Sequence, residues 1–165
     1  MDDRISLLNA GHDRQSFSCG IHLLDEYLQK FAGQDVKNKV SACFILSADD
    51  VQIKGYYTLA TGSIPRELVP EALVKKLPRY KDLPVTLLGR LAVDQRFQGK
   101  KLGEFLLMDA MKRSLDASGS VGSYALMVDP IDEHAIRFYA RYGFIRLANS
   151  VRMFLPMMTI QQAFR

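Results

Sequence analysis

Apolar positions along this chain switch repeatedly between close spacing and a spacing of three to four. Arg4–Leu8 reads as a short first strand. From Cys19 to Phe31, Ile21, Leu24 and Leu28 recur at helical spacing, with Leu23 and Tyr27 beside them. That pattern predicts a helix bounded by Gly20 and Gly33. Ala42–Ser47 and Val51–Ala60 read as two strands joined by a turn at Asp49 and Asp50. Residues 62–84 are punctuated by Pro65, Pro70, Pro78 and Pro84, and Arg66–Leu77 has room for one or two short helices. Val85–Val93 is an apolar stretch broken by Gly89 and Arg90, as a buried central strand would be, with Gly89 a candidate bulge or close backbone approach.

The second half alternates more regularly. A strong helix is expected over Leu102–Ser118, with Leu102, Phe105, Leu106 and Met108–Met111 on its apolar side. Ser123–Val128 reads as a buried strand. Glu133–Tyr142 reads as a short helix presenting Ala135, Phe138, Tyr139 and Tyr142, stopped by Gly143. Phe144–Leu147 and Arg152–Leu155 close the chain as strands. Strands and helices in this order predict one α/β domain over residues 1–165, built on a mixed sheet.

Length, composition and charge narrow the class. A chain of 165 residues with 48% hydrophobic and 24% charged residues has enough core to fold without disulfides or a structural metal. Cys19 and Cys43 form no CxxC, and His12, His22 and His134 lack ligand spacing, so no metal site is expected. No apolar run reaches membrane-spanning length and the acidic start is unlike a signal peptide, which points to a reduced, cytoplasmic setting without membrane association. The formal net charge of +4 permits an anionic partner without requiring one.

The densest chemistry lies in RLAVDQRFQGKKLGEFLLMDA, residues 90–110. A buried strand, a glycine-bearing turn and a helix start form an anion site, because first-turn amides lack partners inside the helix. Gln98, Gly99, Lys100, Lys101, Leu102, Gly103 and Glu104 make up the turn. It is neither a P-loop nor a dinucleotide fingerprint. The segment resembles the GNAT superfamily of N-acetyltransferases, whose motif [QR]-x-x-G-x-[GA] grips the diphosphate of acetyl-CoA. Gln98 fills the first slot, Gly103 the last, and Lys101 stands in the central glycine slot. DEHAIRFYARYGF, residues 132–144, resembles the superfamily's second signature, N-x-x-A-x-x-F-Y-x-x-x-G-F, with Asp132 in place of Asn.

The resemblance implies a mostly antiparallel mixed sheet with splayed central strands and flanking helices. It implies acetyl-CoA as acetyl donor, with the backbone of Leu91, Ala92 and Val93 along its pantetheine arm, Asp132 and Phe138 also against the coenzyme, and Tyr139 as general acid. FSCGIHLLDEYL, YYTLATGSI and LPVTLLGRLAVD resemble a narrower branch, the toxins of type II toxin–antitoxin modules. That likeness implies acetylation of the α-amino group of aminoacyl-tRNA, a ribbon-helix-helix antitoxin as partner, operator DNA reached only through it, and a homodimer. Lys75, Lys76, Arg79, Lys81 and Arg90 are the candidate tRNA contacts, with Arg137 and Arg141 as a second group. Arg90 stands out, since a charge inside an apolar strand needs a partner, a cleft or an edge. No glutamate lies on the Val85–Asp94 strand to serve as base, which suits a weakly basic α-amine better than a lysine. A small-molecule amine or a protein N-terminus as acceptor, and an acyl-CoA-binding module without turnover, remain alternatives.

Overall fold

The computed structural model describes residues 2–165. The elements run β1 (Arg4–Leu7), α1 (His22–Glu26), a π-turn (Tyr27–Phe31), α2 (Ala32–Lys37), β2 (Ala42–Ser47), β3 (Gly55–Pro65), a 3-10 turn (Arg66–Leu68) and α3 (Glu71–Val74). They continue as β4 (Asp82–Val93), a 3-10 turn (Gln95–Phe97), α4 (Leu102–Ser118), β5 (Ala125–Val128), α5 (Glu133–Arg141), β6 (Ile145–Arg146), β7 (Met153–Pro156) and α6 (Met157–Ala163). Seven strands form one sheet in the order β1-β2-β3-β4-β5-β7-β6. The β4–β5 pair is parallel; β1–β2, β2–β3, β5–β7 and β6–β7 are antiparallel. The expected α/β class and mixed, mostly antiparallel sheet hold.

The chain forms two compact units, and β3, β4 and α4 each contribute to both. The first comprises residues 1–60 and 89–110. Its core gathers Phe17, Leu24, Tyr27, Leu28, Cys43, Ile45, Tyr56 and Ala92. Phe17 meets Tyr56 edge-on at 5.5 Å, and the Tyr56 hydroxyl donates to the Leu24 carbonyl at 2.7 Å. The second comprises residues 61–88 and 111–165, around Ile64, Val69, Val74, Leu83, Val85, Ala125, Met127, Leu147 and Phe154. In it β4 pairs with β5 from Val85↔Ala125 to Leu88↔Val128, and Gly89–Val93 lie beyond that ladder.

Several boundaries differ from expectation. The first helical stretch runs on through the π-turn to Lys37, so Gly33 lies inside it and does not end it. The Arg14 Nη1 atom sits 2.8 Å from where a Cβ at Gly33 would be, but it is the far end of a flexible side chain that can move aside. β3 starts later than expected and extends to Pro65, because Val51–Lys54 is taken up by the turn after Asp50. On α4, Phe105 and Met108 are exposed, and the buried side is Leu106, Leu107, Ala110 and Met111. The closing helix α6, which buries Met157 and Ile160, follows Pro156 and had no expectation.

Candidate active site

In the first unit the end of β4 is tied down before the loop begins. The Asp94 carboxylate is 1% exposed on its side chain and accepts from the backbone of Ser18 at 3.0 Å and of Arg96 at 2.9 Å. It also accepts from Arg96 Nε at 2.9 Å and Nη2 at 3.0 Å. Burial pushes this carboxyl up, but the Arg96 hydrogen bonds outweigh it and the pKa lies below the ordinary carboxylate range. The Gln98 amide then donates to the carbonyls of Val93 at 2.9 Å and Cys19 at 3.0 Å. Gln98, expected at the coenzyme, is thus also a brace that closes the loop on itself.

Beyond the brace, Gly99 has φ +81° and Lys101 φ +61°. Two left-handed residues in such a turn orient successive amides towards one side, an anion-binding concavity. The lysine in the glycine slot therefore keeps a glycine's backbone conformation. α4 begins at Leu102, so the amides of Leu102, Gly103 and Glu104 fall in its first turn, at the positive end of a helix of 17 residues. Lys54, Arg96 and Lys100 lie 4.9, 5.6 and 5.7 Å from the centre of the Phe97 ring. Lys54 and Arg96 are paired with Asp3 and Asp94, so the added positive charge at the loop comes from Lys100. Leu91 and Val93 are half-buried and Ala92 is buried.

The second unit carries the other candidates on α5. Asp132 caps that helix, its carboxylate accepting from the Ala135 amide at 2.8 Å. Tyr139 is 7% exposed, with its ring 5.2 Å from both Phe138 and Phe144. Burial raises its pKa above that of an ordinary phenol. The turn after α5 closes at Gly143, φ +92°. His134, Arg137, Phe138 and Arg141 line an open hollow of about 510 Å³ on this helix.

Lys75, Arg79 and Lys81 line a second hollow, of about 640 Å³, with Arg66, Glu67, Glu71 and Asp82 among the other walls. Acidic groups are interleaved with the basic ones. Arg66 is committed, donating to the Pro78 carbonyl at 2.7 Å and to the Val74 carbonyl. Lys76 is exposed and stands outside that lining. Arg90 belongs to the first unit and is half-buried.

The other reactive side chains are otherwise engaged. Cys19 and Cys43 are free but buried, and burial pushes both thiols up to about 12. His12 is held between Asp50 at 2.8 Å and the Asn9 amide at 3.0 Å. Among the described residues no cluster of three or more His, Cys, Asp or Glu could hold a metal ion, and no helix is long and apolar enough to cross a membrane. Sequence reasoning missed Asp94, although a single carboxylate ending an apolar strand two residues before an arginine is a usable signal.

A strand, a braced loop with left-handed backbone at the motif's glycine slot, and a helix start are what a diphosphate-gripping acyltransferase needs. The model of the acetyltransferase (GNAT) family matches residues 20–144. The chain belongs to this family. The acetyltransferase is 38% identical over 132 residues to the tRNA-acetylating toxin of Mycobacterium tuberculosis (strain ATCC 25618 / H37Rv), covering 80% of this chain and 78% of that protein. Its fold matches AtaT complexed with acetyl-methionyl-tRNAfMet at a TM-score of 0.92 and 34% identity, over 99% of this chain and 100% of that one. It also matches the AtaT Y144F mutant bound to acetyl-CoA and the C-terminus of the antitoxin AtaR, at 0.85 and 31% identity, over 99% of each chain.

Proposed function

We propose that this acetyltransferase is the toxin of a type II toxin–antitoxin module, moving acetyl from acetyl-CoA to the α-amino group of aminoacyl-tRNA and so blocking translation. We read residues 1–165 as one catalytic domain, since the family match runs through parts of both units. The observation that carries the coenzyme half is the left-handed backbone at Gly99 and Lys101 ahead of α4. In this reading the amides from Gly99 to Glu104 take the diphosphate, with Gln98 holding the loop and Lys100 and Lys101 adding charge. The backbone of Leu91, Ala92 and Val93 pairs with the pantetheine arm, and Phe138 and the Asp132 cap flank it.

The α-amine attacks the thioester carbonyl. A C–N bond forms, the C–S bond breaks, the amine proton leaves to water, and Tyr139 protonates the departing thiolate. Its raised pKa keeps the phenol protonated at neutral pH. An α-amine titrates near 7.7–8.0, roughly two units or more below lysine, and esterifying the carboxylate lowers it further, so a substantial fraction is neutral without a dedicated base. Lys75, Lys76, Arg79 and Lys81 contribute long-range attraction for the tRNA. The likeness to AtaT bound to the C-terminus of the antitoxin AtaR, and to the AtaT-AtaR complex bound to DNA, supports an antitoxin as partner and DNA reached through it. In this reading the antitoxin is a ribbon-helix-helix protein, the DNA its operator, and the toxin a cytoplasmic homodimer. Mass spectrometry of charged tRNA incubated with the protein and acetyl-CoA tests the reading. Gain of one acetyl group on the aminoacyl moiety is expected; absence on every charged species overturns it.

A further inference from the structure

Arg90 sits in a strand, and among the described residues its charge has no counter-ion. Its guanidinium carbon lies 3.4 Å from the centre of the Tyr27 ring, a cation seated on an aromatic face. Among the described residues no carboxylate pairs with it and none of its N–H groups is hydrogen-bonded. The ring beneath it is fixed. Tyr27 is 6% exposed, and its hydroxyl donates to Asp35 Oδ2 at 2.8 Å. Burial and that hydrogen bond push the phenol up to about 12, so the donor is retained. Tyr27 also opens the π-turn, a helical irregularity frequent at functional sites.

A second unpaired group lies close by. Thr58 is 1% exposed, and its hydroxyl has no hydrogen-bond partner. It stands 3.1 Å from where a Cβ would sit on Gly89, the residue before Arg90. Unpaired polar groups in a half-buried setting are costly unless something binds there.

We propose that Arg90, held flat on Tyr27, is the acceptor's phosphate clamp: it takes the phosphodiester next to the aminoacylated terminal nucleoside. This rests on aminoacyl-tRNA being the acceptor. Esterification removes the amino acid's carboxylate, so the nearest anion to the reacting amine is that phosphate. A guanidinium fork matches two phosphate oxygens, which a lysine cannot do. Stacking on Tyr27 orients the fork while leaving its N–H edge uncommitted. Arg90 then discriminates an amine carried on RNA from a free amine.

Steady-state kinetics with charged tRNA and acetyl-CoA varied separately, over a salt series, tests this. Arg90→Gln is expected to raise the KM for aminoacyl-tRNA about tenfold or more, to leave that for acetyl-CoA within about twofold, and to flatten the salt dependence by about 0.7 in the log–log slope. Arg90→Lys should restore the slope but not the KM. Tyr27→Phe, which keeps the ring, should stay near the parent, and Tyr27→Leu, which keeps the charge but removes its seat, should raise the acceptor KM as Arg90→Lys does. Should Arg90→Gln fail to fold, judged by thermal stabilisation with acetyl-CoA, Arg90→Lys and Tyr27→Leu carry the same acceptor-only expectation. An equal loss for both substrates, or an unchanged acceptor KM and slope, overturns the clamp alone. A parent protein that acetylates no charged tRNA overturns the acceptor reading with it.

Discussion

Lys101 keeps a left-handed backbone at φ +61° in a position where the family motif has glycine. That conformation costs a side-chain-bearing residue about 1–2 kcal/mol, while glycine there would lose about 0.4–1 kcal/mol through a freer unfolded chain. Lys101→Gly should therefore stabilise by about 0–1.6 kcal/mol, and Lys101→Val should destabilise by about 1–2 kcal/mol, read by thermal unfolding. Tyr139→Phe should lower turnover about 10²–10⁴-fold, with acetyl-CoA affinity by calorimetry unchanged. Asp94 supplies a pH effect. Its carboxyl titrates lower in the folded state than when free, so its contribution is present above about pH 4 and is lost as pH falls through the folded value. Asp94→Asn should cost about 1–3 kcal/mol at pH 7 and blunt that acid limb in a pH series of unfolding midpoints. At this scale the motif residues were legible, because glycine, aromatic and basic positions fall at fixed offsets. Arg90 was legible as an anomaly, but its Tyr27 partner was not, since a π-turn shifts the helical register in a way no periodicity reveals.

Among the elements, α4 matches its expected span because it is long and flanked by glycines, and α5 because Gly143 stops it. Gly33 does not bound the first helical stretch because the π-turn at Tyr27–Phe31 carries it on through α2 to Lys37. Phe105 and Met108 were assigned inward on hydrophobicity alone, whereas the helix turns Leu106, Leu107 and Ala110 to the core. The start of β3 is fixed just as tightly. A Cβ at Gly55 would lie 2.9 Å from both the Ala92 carbonyl oxygen and a Leu106 methyl. The carbonyl belongs to the strand that leads into the anion loop and cannot yield as a flexible side chain would. Gly55→Ala should cost about 1–3 kcal/mol in urea unfolding and weaken acetyl-CoA binding in parallel.

For the molecule as a whole, the excess of positive charge is modest, and Glu67, Glu71 and Asp82 stand among the basic residues of residues 65–82. Long-range attraction from that segment should be spread over several side chains. Replacing Lys75, Lys76, Arg79 and Lys81 together by glutamine is expected to slow tRNA association at low ionic strength by about tenfold, with little effect near 0.5 M salt; stopped-flow binding would show it. The family likeness together with the run of basic residues suggested this footprint but could not show its acidic partners, because the sequence does not say which carboxylates share a hollow.

The division of the chain bears on biosynthesis. The first unit draws on residues 1–60 and 89–110, with Ala92 in its core, and the second on residues 61–88 and 111–165, with Phe154 in its own. Neither is a continuous stretch of polypeptide. A nascent chain cannot complete the first until the ribosome has passed well beyond its midpoint, nor the second until it is almost finished. A message cut short before residue 110 completes neither half, and no single-cut truncation will isolate one for study.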